Sequence, residues 1–564
     1  MDTVNASTGV EDRETAKLPV SQEPQPSALS KPLSRWLLLL GAIALVCVTA
    51  CREISIGEFD YNTDEAQHAV TGLFVADALH DLPVRHPVEY AYNYYAQYPA
   101  IAILHWPPLF YVFEGVSFLL FGASVVSARL TVIFFAVVLL YQWFLLVEEL
   151  QDSYTAAICT AVLGLLPMVL VFEKTVMLEI PSLALGVGAI RHWIRYLDQG
   201  RKNSLYAFGL WLAAALLCKQ TSVYLLLFCG LTLIVTRKWN RFFRRDMLIV
   251  AVLVALLAGP FLVLMLFMQG NAVANDLGSH RMGGFERVSF YIRTLPAAFS
   301  PALFALAVLG ALLAWGWNKR GQATMMLCWI VAGYLTFSYF GQREPRFAIY
   351  WFPPLVYFAV GLLTQFFHNS KLRPVMRGVA ALLVATVAIP AWSQQRPYIS
   401  GYKDVAARLV DQYHAGIVLF DGRVPGNFVF YMRALDPKRH FLVLRKSLYA
   451  ENIRPGAGSE ELLHNQEDLT DMFHRDGIRF VVVSEKVPLR FESQRILREQ
   501  LQSPQFQLLG RFPIASNEPS WKDESLLLYE NKQWTPPSDK MLRIRMLTLP
   551  HDIVVPMQQF EAGQ

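Results

Sequence analysis

Charged residues are scarce in this sequence, at 17% of 564 residues, where a soluble protein has roughly a quarter. Hydrophobic residues make up 54% of the chain, and the mean hydropathy is positive. Apolar runs of about 20 residues recur, and this is the length that an α-helix needs to cross a bilayer. The composition therefore excludes a wholly soluble protein and predicts a polytopic α-helical membrane protein.

Cysteine is absent from the long polar segments. The six cysteines all lie within apolar segments or at their edges, at Cys47, Cys51, Cys159, Cys218, Cys229 and Cys328. This placement argues against a disulfide framework and against a cysteine metal site. The net charge of +5 is small for a chain of this length, so the composition gives no indication of a nucleic-acid partner.

Basic residues beside the apolar runs predict the side of the membrane on which each loop lies. Residues 1–34 are rich in Ser, Pro, Glu and Gln, which is typical of a disordered tail, and Lys31 and Arg35 precede the first run. Positively charged loops stay in the cytoplasm, so we expect the tail to be cytoplasmic. Further basic segments lie at 195–202, 237–245, 319–320 and 371–377. If all of them are cytoplasmic, the chain crosses the membrane about eleven times within residues 35–393.

A polar and aromatic segment, residues 53–108, then lies outside the cytoplasm. The turn 173–179, Lys219, the loop 269–295 and the turn 341–346 lie on the same side. The short apolar run 109–122 is expected to lie along the outer leaflet or to cross it only in part. The Tyr-rich run 90–98 is expected to form an aromatic belt at the membrane interface. Charged residues from distant parts of the chain therefore meet at one face of the membrane.

Residues 394–564 have the composition of a soluble protein. Apolar runs at 416–420, 441–444 and 478–483 predict buried strands, and helical patterns cover 468–475 and 492–501. This alternation predicts a small extracytoplasmic α/β domain. It contains no glycine-rich phosphate loop. Acceptor recognition and a lid are both open as its role.

Asp64 and Glu65 are the candidate catalytic residues on the outer face. A partly desolvated carboxylate at the bilayer edge is a stronger base than one in water, so either could deprotonate an acceptor hydroxyl. The alternative is a helix N-terminus, with Thr63 as the cap and both acids in the first turn. Adjacent residues point in different directions, so one could face a site while the other supports structure. Asp60 is a supporting candidate for acceptor or cation binding.

Glu179 lies at the start of an apolar run, where an unpaired charge is costly. We expect it to bind an acceptor or a cation, and Asp64 and Glu179 together are a possible site for a divalent metal ion. The alternative is interfacial anchoring, with Pro181 in the first turn of a helix. Glu173, beside Lys174, is expected to form a surface ion pair. His105 is a further candidate for acceptor or cation binding, and the alternative is a structural role, which is more common for a lone histidine at an interface.

Three cations on the same face are candidates for binding a phosphate. Lys219 lies between two apolar runs, and Arg343 and Arg346 flank a tight turn. Interfacial cations can hold a lipid phosphate, and arginine does so through two parallel hydrogen bonds. The alternative is that their side chains reach toward lipid headgroups without a catalytic role.

Short motifs in a fixed order suggest a family. They are Asp64-Glu65-Ala66, Pro107-Pro108-Leu109, Phe121-Gly122, Ala128-Arg129-Leu130, Glu179 after a Met-Leu pair, Lys219 between two spans, and Arg346-Phe347 before Pro353-Pro354. In this order and spacing the chain, over roughly residues 36–395, resembles the GT-C membrane glycosyltransferases that use polyprenyl-phosphate sugars. Within them it is similar to bacterial relatives of the protein O-mannosyltransferases and of the aminoarabinose transferase of lipid A.

The resemblance implies an inverting transfer from a polyprenyl-phosphate-linked sugar donor to a hydroxyl acceptor of the cell envelope. Asp64 would be the base, and Lys219 and Arg346 would hold the phosphate as negative charge develops on it. No cofactor is required, although some members use a divalent cation. The protein is expected to be embedded in a lipid bilayer, and the expected location is a bacterial inner membrane.

The chain departs from the family pattern at two positions. The family often has a Lys before the Pro-Pro pair as a phosphate contact, and here Trp106 follows His105, which is the candidate replacement. Glu179 stands where Asp is usual, which keeps the charge and lengthens the side chain.

Two other classes of protein are compatible with a polytopic chain. A transporter or flippase has charges near the bilayer midplane and often internal repeats. Here the charges lie at the ends of spans on one side, which favours an enzyme. The third alternative is a non-catalytic assembly subunit in which the acidic segment is only a helix cap.

Overall fold

A computed structural model describes residues 32–557 apart from Asn62 and the segments 103–104, 279–283, 318–319, 341–342, 369, 452–457 and 548–550. The tail predicted at residues 1–34 lies outside the described residues, except for its last three, which begin the first helix. Arg281, in the predicted loop 269–295, also lies outside them.

The first two thirds of the described chain are helical. In chain order the helices are α1 Pro32–Cys51, α2 Thr63–Asp81, α3 Pro87–Gln97, α4 Leu109–Phe121, α5 Val125–Leu150, α6 Ser153–Leu165, α7 Pro167–Glu173, α8 Glu179–Gln199, α9 Lys202–Cys218, α10 Tyr224–Val235, α11 Arg245–Gly278, α12 Gly284–Phe299, α13 Pro301–Trp317, α14 Arg320–Tyr339, α15 Phe352–Thr364 and α16 Arg373–Ser393. Short 3-10 turns lie at Gln220–Val223, Trp239–Phe243 and Pro345–Trp351.

Several of these helices are long and apolar enough to cross a membrane. Within the described residues, five helices have the length and apolar composition of a membrane span. The number rises to seven if each of two bent pairs of helices forms one span. The bent pairs are α6 with α7, at 71°, and α12 with α13, at 114°. The predicted polytopic helical fold is confirmed.

Ion pairs connect the helices at one end of the bundle. Arg35 of α1 contacts Glu148 near the end of α5 at 2.7 Å. Arg191 of α8 contacts Glu149 at 2.5 Å, and Arg377 of α16 contacts Asp152, before α6, at 3.4 Å. These contacts bring together basic segments that the sequence places on one side.

The C-terminal segment folds as strands and helices. The helices are α17 Tyr402–Tyr413, α18 Pro425–Leu435, α19 Gln466–Asp476 and α20 Glu492–Gln500. The strands are β1 Ile399–Ser400, β2 Gly416–Asp421, β3 Phe441–Leu444, β4 Tyr449–Glu451, β5 Ser459–Glu461, β6 Phe480–Ser484, β7 Phe506–Pro513, β8 Ala515–Ser516, β9 Ser525–Asn531, β10 Met541–Ile544 and β11 Ile553–Pro556. The main sheet has the order β3-β2-β6-β9-β7, with β2 parallel to both β3 and β6. The three predicted strands are β2, β3 and β6.

The aromatic belt predicted for the Tyr-rich run is wrong for its best-buried members. Tyr94 and Tyr98 are buried, and the Tyr94 hydroxyl donates to Asp77 of α2 at 2.7 Å. Gln97, at the end of α3, donates to the Phe441 carbonyl of β3 at 2.9 Å. Helix α3 therefore packs between α2 and the C-terminal domain, where protein rather than lipid covers these rings.

The surface pair predicted for Glu173 and Lys174 is also wrong. Glu173 has no exposed surface and Lys174 is 3% exposed. The Lys174 ammonium donates to the Gln394 carbonyl at 3.0 Å. The bend between α6 and α7 turns both residues inward, and a charge pattern in sequence does not report such a bend.

The predicted loop 269–295 is helical where it is described. Helix α11 continues to Gly278, and α12 begins at Gly284. The run 109–122 forms the thirteen-residue helix α4, which packs on α2 and α5. Its other face exposes apolar side chains, among them Val112, Val116 and Leu120.

Candidate active site

The first turn of α2 holds both acidic candidates, where carboxylates complement the helix dipole. Asp64 faces Arg346, with 3.1 Å between Asp64 Oδ2 and Arg346 Nη1. A third of the Asp64 side chain stays exposed, at 34%. Asp64 therefore has a fixed cationic partner and an open side toward solvent.

Glu65 points away from Asp64 and has no exposed surface. Its carboxylate accepts from the backbone amides of Asp60 at 2.5 Å and of Val176 at 3.0 Å. Arg129 and Arg396 each approach it at 3.9 Å. Glu65 therefore joins segments that surround α2, and this position fits a structural role better than contact with a substrate.

Asp60 is 7% exposed and lies just before α2, where its backbone amide is held by Glu65. Asp60 is only four residues before Asp64, but its backbone amide bonds Glu65 and not Asp64. The structure thus places the Asp60 main chain next to Glu65.

Arg346 is the second residue of the 3-10 turn Pro345–Trp351 and joins three carboxylates. In addition to Asp64, its Nε lies 2.6 Å from Glu344 Oε2 and 3.6 Å from Glu179 Oε1. Nη2 donates to Glu344 Oε1 at 3.1 Å. The pair with Glu344 fixes the plane of the guanidinium, so the group that faces Asp64 has a defined orientation.

Glu179 and Lys219 form a buried ion pair at the ends of two neighbouring helices. Helix α8 begins at Glu179, and α9 ends one residue before Lys219. Lys219 Nζ donates to Glu179 Oε1 at 2.7 Å, and both side chains are almost fully buried. Glu179 therefore contacts Lys219 and Arg346 together and holds the two cations side by side.

Aromatic rings surround Lys219. Its Nζ lies 5.5 Å from the Trp106 ring centroid and 5.6 Å from that of Phe347. Such contacts stabilise a cation most when water is excluded. Gln220 Nε2 lies 3.5 Å from the His105 carbonyl oxygen, so the His105-Trp106 segment adjoins Lys219. Trp106 therefore contacts Lys219 at the position where the family often has a second lysine.

Arg343 lies beside a different helix. Its charged neighbours include Arg287 and Glu286 of α12, and Tyr291 is close by. Burial and the neighbouring Arg287 lower the pKa of Arg343. Arg343 thus has charged neighbours on α12, whereas Arg346 pairs with Asp64, Glu179 and Glu344, although only two residues lie between the two arginines.

His68 was missed by the sequence analysis. It lies one helical turn after Asp64, is 2% exposed, and its Nδ1 is 2.8 Å from the Tyr111 hydroxyl. The His68 ring centroid lies 6.0 Å from that of Trp106. Burial lowers the pKa of His68 to about 4, so its imidazole is neutral at pH 7. The four-residue spacing from Asp64 on a helix was the signal that could have found it.

The proposed pair of metal ligands does not form a metal site in this geometry. Asp64 and Glu179 share Arg346 as a partner, and Lys219 contacts the same Glu179 oxygen, Oε1, as Arg346. Arg346 therefore lies between the two carboxylates, and its charge together with that of Lys219 would repel a divalent ion. Among the described residues no group of three His, Cys, Asp or Glu is placed to hold a metal.

Comparison with known proteins gives one family model and several structures. The model described as dolichyl-phosphate-mannose-protein mannosyltransferase matches residues 105–263. This segment holds His105, Glu179 and Lys219. No curated protein sequence matches the chain.

The similar solved structures include ArnT from Cupriavidus metallidurans bound to undecaprenyl phosphate. It is 13% identical, with 87% of this chain and 98% of that chain covered and a TM-score of 0.58. The Archaeoglobus fulgidus oligosaccharyltransferase in complex with Zn and sulfate is 12% identical, with 78% of this chain and 68% of that chain covered and a TM-score of 0.50. The mycobacterial arabinofuranosyltransferase AftD is 15% identical, with 90% of this chain and 40% of that chain covered and a TM-score of 0.50.

The similarity to ArnT extends over both the helical bundle and the C-terminal domain, and it covers almost the whole ArnT chain. The resemblance suggested by the motifs is confirmed, and the chain has the GT-C fold of these integral membrane glycosyltransferases.

Proposed function

We propose that the protein is an inverting glycosyltransferase that moves a sugar from a polyprenyl-phosphate carrier to a hydroxyl acceptor on the outer face of the membrane. The observation that carries this proposal is the cluster of Asp64, Arg346, Glu179 and Lys219 at one end of the helical bundle. The four residues come from parts of the chain that are distant in sequence. Asp64 lies in α2, Glu179 in α8 and Arg346 in the 3-10 turn, and Lys219 directly follows α9.

Asp64 is the base in this proposal. Its exposed side can accept the proton of an acceptor hydroxyl as the oxygen attacks the anomeric carbon. The new C–O bond forms on the face opposite the phosphate, and the bond from the anomeric carbon to the phosphate oxygen breaks, so the configuration inverts. The proton ends on Asp64 and the electron pair on the leaving phosphate.

Lys219 and Arg346 stabilise that leaving phosphate. Both are held in place by Glu179 before any substrate binds, so little reorganisation is needed when negative charge develops. Glu179 lies behind the two cations and has no exposed surface, which fits holding them better than contacting an acceptor. Burial against Trp106 and Phe347 lowers the local dielectric and strengthens the attraction.

The donor class is supported by the ArnT structure, which contains undecaprenyl phosphate. Undecaprenyl phosphate is a phosphate monoester on a long isoprenoid chain, the product that remains when the proposed donor has lost its sugar. The basic segments at the opposite end of the bundle support a cytoplasmic position for that end by the positive-inside rule. The site then faces outward, in the plasma membrane of a bacterium.

The test uses the purified full chain in lipid nanodiscs with a panel of undecaprenyl-phosphate sugars and envelope extract as the acceptor. We expect release of undecaprenyl phosphate with one donor, together with a sugar-modified acceptor detected by mass spectrometry. The donor lipid moved across vesicles without release of its sugar would support a flippase and contradict the proposal. So would envelope glycans that are identical in cells with and without the gene.

A further inference from the structure

Helix α18 of the C-terminal domain lies directly against the start of α2. A Cβ atom on Gly426 would lie 3.0 Å from the Ala66 Cβ and 3.4 Å from the Gln67 amide nitrogen. Glycine at the start of α18 therefore permits an approach that a larger residue would obstruct. The contact lies two residues after Asp64.

The same two helices are joined again about three turns later by a buried ion pair. Arg433 Nε lies 2.7 Å from Asp77 Oδ2, and Arg433 Nη2 also donates to Asp77 Oδ1. The side chains are 11% and 10% exposed. The Tyr94 hydroxyl donates to Asp77 Oδ2 at 2.7 Å, and Arg439 Nη2 lies 3.1 Å from Asp77 Oδ1. A buried ion pair with two hydrogen bonds fixes the relative orientation of the two helices as well as the distance between them.

Aromatic contacts fill the space beside the two polar ones. Phe59, which precedes α2, meets Phe430 of α18 edge to face with ring centroids 4.8 Å apart. Phe430 also lies 6.1 Å from Phe118 of α4. Helix α18 thus contacts the segment before α2, its first turn, and its far half.

We infer that α18 positions the catalytic helix, with Gly426 and Arg433 as positioning residues for Asp64. The inference rests on the proposed role of Asp64 as the base. A displacement of about 1 Å at a reacting group can cost on the order of 10²-fold in rate. The C-terminal domain therefore takes part in transfer by holding the helix that carries Asp64.

The test compares Arg433→Gln, Arg433→Lys and Gly426→Ala with the unchanged full chain in nanodiscs. The matched control is Arg479→Gln, which breaks a pair with Glu530 at 3.0 Å inside the same domain and away from α2. We expect Arg433→Gln to lower kcat by about 10- to 100-fold and Gly426→Ala, which requires a smaller shift of the helix, to lower it by less, with the donor KM within about twofold of wild type in both. Arg433→Lys should recover part of the rate, and the control should keep it.

Hydrogen exchange gives a readout that does not need activity. Arg433→Gln should speed exchange of the amides of the first two turns of α2 and leave those of α5 unchanged. Wild-type kcat and unchanged exchange in folded Arg433→Gln would overturn the inference, and so would an equal loss of kcat in the Arg479→Gln control. If the wild-type chain transfers no sugar while α2 exchange still rises in the variant, the proposed function fails and the contact between the helices stands.

Discussion

Glu179 contacts both cations of the site from a fully buried position, and this makes its pair with Lys219 testable by single and double substitution. Lys219→Gln would leave a buried carboxylate with one partner fewer. Removing one member of a buried pair costs about 3–5 kcal/mol, so we expect a clear loss of thermal stability and weaker donor binding.

The double variant Lys219→Gln with Glu179→Gln should recover most of the stability and none of the donor affinity. Lys202→Gln is the matched control, because Lys202 pairs with Asp246 in an exposed position. Unfolding temperature in detergent and donor binding by the same preparation measure both effects. Donor affinity restored in the double variant would contradict the phosphate role of Lys219.

The pH dependence of stability is predicted from His68. Its folded pKa, lowered by burial to about 4, lies below the ordinary histidine value, so the unfolded state binds more protons between about pH 6.5 and 4. Stability should therefore be complete above pH 6.5 and be lost as the pH falls toward 4, by on the order of 3 kcal/mol. His68→Gln should flatten this part of the curve. An unchanged acid limb in the variant would show that another group is responsible.

The candidate residues differ in how far sequence could locate them. Glu179, Lys219 and Arg346 were found because each lies at the end of an apolar run, and Asp64 because it lies in the polar segment that the basic loops place on the same side. Glu65 could not be separated from Asp64, since the packing of distant Val176 and Arg396 around it decides its direction. Glu173 was missed as a buried group because the bend after α6 depends on tertiary packing.

At the scale of single elements, α13 and α15 approach each other closely at Gly310 of α13. A Cβ there would meet the Phe358 carbonyl of α15, and a backbone atom cannot move aside as the end of a side chain can. Gly310→Ala should therefore destabilise the bundle by about 1–3 kcal/mol, the range for overpacking. The measurement is thermal unfolding of the purified variant.

Gly230 of α10 is the matched control for that crossing. A Cβ there meets nothing within 4 Å, so Gly230→Ala should be neutral or raise stability by about 0.5–1 kcal/mol through helix propensity. Equal effects of the two substitutions would show that the α13–α15 contact is not as close as the structure has it.

The elements themselves were largely predictable. Apolar runs marked the helices, and uninterrupted β-branched and aromatic runs marked β2, β3 and β6, because both patterns follow from local periodicity. Helix α3 was assigned to the membrane interface because its tyrosines match a lipid-facing pattern. Its true partners, β3 and the end of α2, include residues more than 300 positions away, as in the Gln97–Phe441 bond.

At the scale of the whole molecule, the helical bundle and the C-terminal domain share a continuous core. Ala69 of α2, Phe428 of α18 and Val418 of β2 belong to one buried apolar cluster. Sequence composition divides the chain near residue 394, and that boundary does not reveal that the domain packs on the helix that carries Asp64. The contact needs the fold, because the residues on both sides are apolar and have no distinctive spacing.

The most direct test of the account measures Asp64→Asn and wild type side by side in nanodiscs. It follows release of polyprenyl phosphate from the active donor and binding of that donor, with Asp246→Asn at the opposite end of the bundle as the control. The account predicts a loss of release by roughly 10²- to 10⁴-fold in Asp64→Asn, with donor affinity within about twofold of wild type and a control that behaves as wild type. Release at the wild-type rate by folded Asp64→Asn would contradict it.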